Sequence, residues 1–268
     1  MNLPRSSYYY KPREKKPDDS SLWDRVEELA EEFPRYGYRR ITAQLHREGI
    51  SVNHKKVLRM MHERGLLCKP RHRWVRTTDS THGYPIYPNL LPQGPVTVPN
   101  RVWVADITYI RIFIGFVYLA VILDLFSRKA IGYGLSRNID TPLSLKALHM
   151  ALQSRNPPSG VIHHSDRGVQ YAAGDYVDTL KFRGFQISMA RKGNPYDNAV
   201  AESFMKTLKA EEVYLWEYRT LADVENGVSR FIEQVYNQKR LHSALGYRPP
   251  NEFEKMFLTQ TPCLATLT

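Results

Sequence analysis

Apolar residues recur at helical spacing in the first quarter of the chain and at strand spacing in its middle. Leu22, Val26, Leu29 and Phe33 lie three and four residues apart, one face of a helix over Leu22–Phe33. A second helix runs from Tyr38 to Arg47 with Ile41 and Leu45 inward, and Gly49 breaks it. Asn53 is placed to cap a third helix, with Val57, Met60 and Met61 inside and His54, Lys55, Lys56 and Arg59 outside. From Arg101 the pattern becomes strands rich in Val, Ile, Tyr and Phe: Val102–Ile112, Phe116–Leu125 and Lys129–Leu135. A helix over Pro142–Ser154, a strand over Val161–His164, a helix near Tyr176–Phe182 and a strand over Phe185–Ala190 follow. Helices at Ala199–Tyr214 and Leu221–Gln238 complete the pattern. The order β-β-β-α-β-α-β predicts an α/β unit on a mixed sheet, preceded by a small all-α unit.

These elements set the expected boundaries. Residues 1–20, with Tyr8-Tyr9-Tyr10 among Lys, Arg, Pro and Asp, read as an arm, and 21–68 as a helix-turn-helix-like unit. Residues 69–100 read as a linker, first basic and then rich in proline. Its second part, 77–100, has five prolines and no Lys or Arg. Residues 101–258 form the α/β unit with C-terminal helices, and 259–268 a tail.

Composition changes this picture mainly through charge. The formal charge of +11 and pI near 9.6 attract polyanions. Residues 1–100 carry 18 Lys/Arg against 11 Asp/Glu, and the rest 20 against 16, so the helical third is the more basic. Lys55, Lys56 and Arg59 on the third helix, and Arg71, Arg73 and Arg76 around Trp74, are candidates for DNA phosphates; a solvated basic face is the alternative. Two cysteines, Cys68 and Cys263, exclude a disulfide framework, and the longest apolar run, Phe116–Leu123, is far short of the ~20 residues of a membrane span. A cytoplasmic, nucleoid-associated protein is expected.

Three carboxylates stand out. Asp106 interrupts the strand Trp103-Val104-Ala105-Asp106-Ile107-Thr108-Tyr109, where a charge needs a partner or a metal. Asp166 ends the strand before it, in His164-Ser165-Asp166-Arg167-Gly168, a sequence equally suited to a plain turn. Glu202 lies early in a helix after Arg191-Lys192-Gly193-Asn194-Pro195-Tyr196-Asp197-Asn198, with either Asn194 or Asp197 as the cap. Lys206 and Lys209 share its face at i+4 and i+7, while Val200, Phe204 and Leu208 share another. Asp124, in Asp124-Leu125-Phe126-Ser127-Arg128, reads as a turn anchor more than a metal ligand. The adjacent His163 and His164 are a poor zinc signal.

Thirty-five residues separate Asp166 from Glu202, a D,D(35)E spacing. With the words around each carboxylate, the chain resembles insertion-sequence transposases of the IS-three family, the product of their second reading frame, and more distantly retroviral integrases. Arg5-Ser6-Ser7-Tyr8-Tyr9, Tyr36-Gly37-Tyr38-Arg39-Arg40-Ile41, the Asp124–Arg128 word, and Tyr236-Asn237, Arg240, His242 and Leu245-Gly246-Tyr247 extend the likeness over nearly the whole chain. The last group reads mainly as packing. The resemblance implies an RNase H-like five-stranded core, Asp106, Asp166 and Glu202 holding two Mg²⁺ (or Mn²⁺) ions, and Lys209 as a supporting cation. It further implies double-stranded DNA as partner (element ends and target), a dimer or larger homo-oligomer, and a first-reading-frame protein, separate or fused.

Hard Mg²⁺ needs only oxygen ligands, and two such ions can activate one phosphodiester oxygen and stabilise another. Mutual repulsion should raise at least one carboxylate pKa in metal-free protein. Arg191, Lys192, Asn198, Lys206 and Lys209 are the expected DNA contacts around this site, Asn198 either touching DNA or positioning the helix. A catalytically silent DNA-binding regulator and a nuclease without joining activity are the competing readings.

Overall fold

The computed structural model describes residues 19–68, 85–191 and 195–260, which fall into two compact units. Residues 1–18 of the arm, the basic stretch with Arg71, Arg73 and Arg76, Lys192 and Cys263 lie outside the described residues; Ser20, given to the arm by the sequence, already begins the first helix.

The first unit has three helices, α1 (Ser20–Glu32), α2 (Tyr38–Arg47) and α3 (His54–Glu63). Its core contains the side chains the spacing selects: Val26, Leu29, Ile41, Leu45, Val57, Met60 and Met61 are all essentially inaccessible. The Asn53 side chain accepts from Lys55 N at 2.8 Å and starts α3. Gly49 adopts φ +83°, a conformation that glycine allows at no steric cost, between α2 and α3.

The second unit is built on a five-stranded sheet: β1 (Val102–Arg111), β2 (Phe116–Asp124), β3 (Ala130–Ser136), β4 (Ile162–Ser165) and β5 (Gln186–Met189), in the order β3-β2-β1-β4-β5. β1 pairs antiparallel with β2 and parallel with β4; β2 pairs antiparallel with β3, and β4 parallel with β5. This is the RNase H-like arrangement. Alternation along β1 divides the core. Val102 and Val104 face α7 (Ala199–Glu211), α8 (Leu221–Arg230) and the wider turn that continues α8 over Phe231–Tyr236. Trp103 and Ala105 face α4 (Thr141–Arg155) and α6 (Gly174–Phe182). Periodicity did not single out the short α5 (Val169–Ala172), the last helix α9 (Pro250–Gln260) or the single turns at Pro195–Asn198 and Ser243–Leu245.

Gly132 lets α4 approach β3 closely, since a Cβ there would meet Ala147 O at 2.3 Å and Ala151 N at 2.7 Å. Gly132→Ala should therefore lose about 1–3 kcal/mol by overpacking, read from urea unfolding; a loss under half that would mean α4 shifts freely.

Part of the sequence-derived linker belongs to this unit. Leu90 N donates to Ser188 Oγ at 2.8 Å, Met189 N donates to Pro88 O, and Leu91 and Val96 pack on the core. Proline density marked these residues as extended, which they are; it does not report what an extended segment lies on.

Candidate active site

Parallel pairing places two of the carboxylates. Val104 is in register with His164, so Asp106 and Asp166 each lie two residues past a paired position, Asp166 just beyond the end of β4, and Asp166 acts electrostatically on Asp106. The same alternation points Asp106 to the side of Val102 and Val104, towards α7, which carries Glu202 and Lys209. Asp106 Oδ1 accepts from Ile107 N at 2.9 Å, and Asp166 Oδ1 accepts from Gly168 N at 3.0 Å.

The start of α7 is tied to β1. Asn198 is buried and donates its Nδ2 to Ala105 O at 3.2 Å, next to Asp106. Asp197 does not cap the helix with its side chain. Its Oδ2 accepts from Arg191 N at 2.9 Å and its Oδ1 from Arg191 Nη2 at 3.0 Å, closing the loop before α7. That bond holds the Asp197 carboxyl down at about 2, and leaves Arg191 engaged in the loop. Asn194, the other cap candidate, lies outside the described residues.

Electrostatics show which charges share a neighbourhood. Burial, then Asp166, then Glu202 push the Asp106 carboxyl up to about 8, against the pull of the Ile107 N–H and of Lys209. Lys209 lies 4.6 Å from the centre of the Tyr109 ring, and its own pKa is lowered by burial. Lys206 Nζ is 3.4 Å from Glu202 Oε2, an exposed pair one turn apart.

Among the described residues, no three of His, Cys, Asp and Glu converge tightly enough to form a ready-made metal cage. Asp166 and Glu202 both act electrostatically on Asp106, so the three carboxylates share one neighbourhood. Like charges without a cation repel.

The neighbouring histidines are structural. His163 Nε2 and Tyr176 Oη share a 2.9 Å hydrogen bond, and His164 Nδ1 meets Ser188 Oγ at 2.8 Å. Burial pushes the imidazoles down to about 3 and about 4. An unfolded histidine titrates near ~6.5, so the unfolded chain binds more protons below that pH and stability falls as pH drops from ~6.5 towards ~3. Each histidine should contribute about 1.4 kcal/mol of loss per pH unit in that window, and His163→Gln should flatten the slope of unfolding free energy between pH 7 and 5. An unchanged slope would mean that His163 charges within the native protein.

Asp124 is fully buried at the β2–β3 turn, its Oδ2 accepting from Asn100 N at 2.7 Å and its Oδ1 from Phe126 N at 2.9 Å. The turn-anchor reading fits these bonds. Tyr236, Asn237, Arg240 and His242 are buried as expected of packing: Asn237 bonds both backbone groups of Ala130, and Arg240 forks onto Glu211 at 2.7 and 2.8 Å.

On α3, Lys55 is exposed. Lys56 is held by Asp19 at 2.6 Å, and Arg59 lies 3.7 Å from Glu63. Residues missed by periodicity include exposed Arg39, over the Tyr38 ring at 5.5 Å, and buried Tyr171, whose hydroxyl has no partner among the described residues. For Tyr171 the available signal was an aromatic residue five positions past Asp166.

The family comparisons meet this geometry. An integrase core domain matches residues 96–195 and a second integrase core pattern residues 183–250, while an HTH-like domain matches 17–74. The 31 kDa protein of insertion element IS600 from Shigella sonnei is 39% identical over 264 residues, 96% of this chain and 97% of that protein. The transposase of insertion sequence element IS904 from Lactococcus lactis is 42% identical over 222 residues, 82% of this chain and 88% of that protein. Transposase InsF of insertion sequence IS3 from Escherichia coli O111:H- is 39% identical, covering 82% and 77%.

The chain belongs to the IS3-family transposases. It is thus a transposase of the DDE integrase class, a polynucleotidyl transferase. The fold agrees: a chain of the simian T-cell lymphotropic virus intasome resembles this transposase with TM-score 0.52 and 16% identity, covering 91% of this chain and 77% of that one. Among the described residues no helix of the transposase is long and apolar enough to cross a membrane.

Proposed function

We propose that this transposase cleaves phosphodiesters at the ends of its element and joins the freed 3′ hydroxyl to target DNA, using divalent cations held by Asp106, Asp166 and Glu202. The observation that carries this reading is the Asp106 carboxyl, raised by burial and by its two acidic neighbours beside a half-buried lysine. A divalent cation relieves that repulsion. The three proposed ligands offer only carboxylate oxygen, which suits Mg²⁺ or Mn²⁺ in preference to soft metals.

When bound, two such ions supply charge stabilisation for the attacking and leaving oxygens of an in-line displacement. The residues themselves have distinct tasks. Asp106 and Asp166 present oxygens from adjacent strands, and Asn198 holds the Glu202 helix against β1. Lys209, and Lys206 when released from Glu202, would carry DNA phosphate to the site. Lys55 and Arg59 on α3, with Lys56 released from Asp19, would contact duplex phosphates from the helical unit. Arg71, Arg73, Arg76 and Lys192 complete the proposed DNA contacts by their charge. Arg191 contributes mainly by closing the loop with Asp197. Pairing two ends requires at least a dimer, with a first-reading-frame protein as a further partner, and the cytoplasm is the proposed compartment, at the nucleoid.

The test is to incubate the protein with candidate end DNA and Mg²⁺ or Mn²⁺ and to resolve both nicked and joined strands. Metal-dependent formation of both supports the reading. Nicks without joined products would favour a nuclease, and binding without either a silent regulator.

A further inference from the structure

Tyr171 follows Asp166 by one short turn. Its N–H donates to Gly168 O at 3.0 Å, and Gly168 N donates to Asp166 Oδ1 at 3.0 Å, so the turn that holds Asp166 also starts the helix carrying Tyr171. The side chain is 3% exposed. Its ring packs edge-on against Tyr176 at 5.5 Å and near His163 at 6.3 Å, which limits where the hydroxyl can go.

The two buried tyrosines differ at their tips. Tyr176 Oη is bonded to His163, whereas Tyr171 Oη is buried with no hydrogen-bond partner among the described residues. A buried hydroxyl without a partner is unfavourable, so such a group calls for a reason. Its charged neighbours are Asp106 and Asp166, and both act on the phenol, along with Tyr176. Asp106 has one oxygen on Ile107 N, and its other oxygen has no hydrogen bond to a described residue.

We propose that Tyr171 is a positioning residue: once a cation draws the Asp106 carboxylate into place, the hydroxyl, which without metal has no partner among the described residues, donates a hydrogen bond to its second oxygen and holds it turned to the cation. This deepens the carboxylate-metal reading and rests on it. Groups behind a metal ligand fix its orientation and raise its basicity, and losing one typically weakens metal affinity about 10- to 100-fold.

The experiment titrates Mn²⁺ into DNA-free protein and reads free Mn²⁺ by electron paramagnetic resonance, for wild type, Tyr171→Phe, Tyr176→Phe and Asp106→Asn. Melting temperatures without metal accompany each. Tyr171→Phe should weaken Mn²⁺ binding by about tenfold, with metal-free stability unchanged or raised because the unpartnered hydroxyl is gone. Tyr176→Phe should lower stability through its lost bond to His163 and leave Mn²⁺ affinity within about twofold, since it lies behind no ligand. In strand cleavage, Tyr171→Phe should lower kcat with the KM for DNA unchanged.

Wild-type Mn²⁺ affinity in Tyr171→Phe overturns the inference, as does an equal loss in Tyr176→Phe, which would make both effects packing. If Asp106→Asn binds Mn²⁺ as wild type does, or wild type takes up none, the carboxylate-metal reading itself falls. A weakened Asp106→Asn beside an unaffected Tyr171→Phe sinks only the role of the tyrosine.

Discussion

Asp106→Asn should abolish cleavage and joining while the metal-free protein melts at a higher temperature than wild type. The two effects have one cause. A carboxylate raised to about 8 is a group that the fold disfavours in its charged form, through burial and the fields of Asp166 and Glu202. Between about pH 4 and 8 the group is protonated in the fold and ionised in the unfolded chain, which favours unfolding; an amide ionises in neither state, so stability rises, and the same change removes an oxygen ligand from the proposed cation site. Metal ions supply several kcal/mol of charge stabilisation to such reactions, and at ~1.4 kcal/mol per tenfold this is about a thousandfold or more in rate. Asp166→Asn and Glu202→Gln should lose activity to the same degree and retain binding to end DNA. Activity within about tenfold of wild type in any one of them would remove that residue from the catalytic set.

Glu254→Ala should be the most destabilising single change in the catalytic unit outside its apolar core. Glu254 on α9 is almost fully buried and accepts from Ser127 Oγ at 2.6 Å, from Arg155 Nη1 at 3.0 Å and a second Arg155 nitrogen, and from Lys129 Nζ at 3.5 Å. Burial works against its ionisation, yet Arg155, Ser127 and Lys129 together hold its pKa below the ordinary glutamate value. Deleting one partner strands the Arg155 guanidinium, beside a fully buried Asp124, and breaking a buried pair in this way costs about 3–5 kcal/mol. At a few degrees per kcal/mol for a unit of this size, the melting temperature should fall by on the order of 10 °C. Glu254→Met combined with Arg155→Met should recover much of the loss, since replacing both charges leaves none unpaired. A single mutant within about 1 kcal/mol of wild type would show that the network is too hydrated to matter.

Local pattern made the strands, most helices and the Asn53 cap legible, because each is written in residues within one or two turns of each other. The D,D(35)E spacing nominated the carboxylates, and the parallel register of β1 and β4 gives Asp106 and Asp166 their adjacency. What stayed hidden depends on partners distant in sequence. The engagement of Lys56 comes from Asp19, 37 residues earlier, and α9 is stitched to the β2–β3 turn by Glu254 and by Phe253 and Phe257, whose rings pack at an angle on Phe126. A helix whose packing partners lie more than 100 residues away announces itself weakly in periodicity. The pairing of Glu202 with Lys206, and its electrostatic effect on Asp106, were equally illegible, because residue spacing does not encode them.

The decisive measurement is anomalous diffraction at the manganese edge from crystals of the protein with end DNA and Mn²⁺. Peaks between the oxygens of Asp106 and Asp166, with Glu202 swung in to meet them, are expected; manganese bound elsewhere, or a carboxylate trio that stays apart with DNA in place, would contradict a shared cation site.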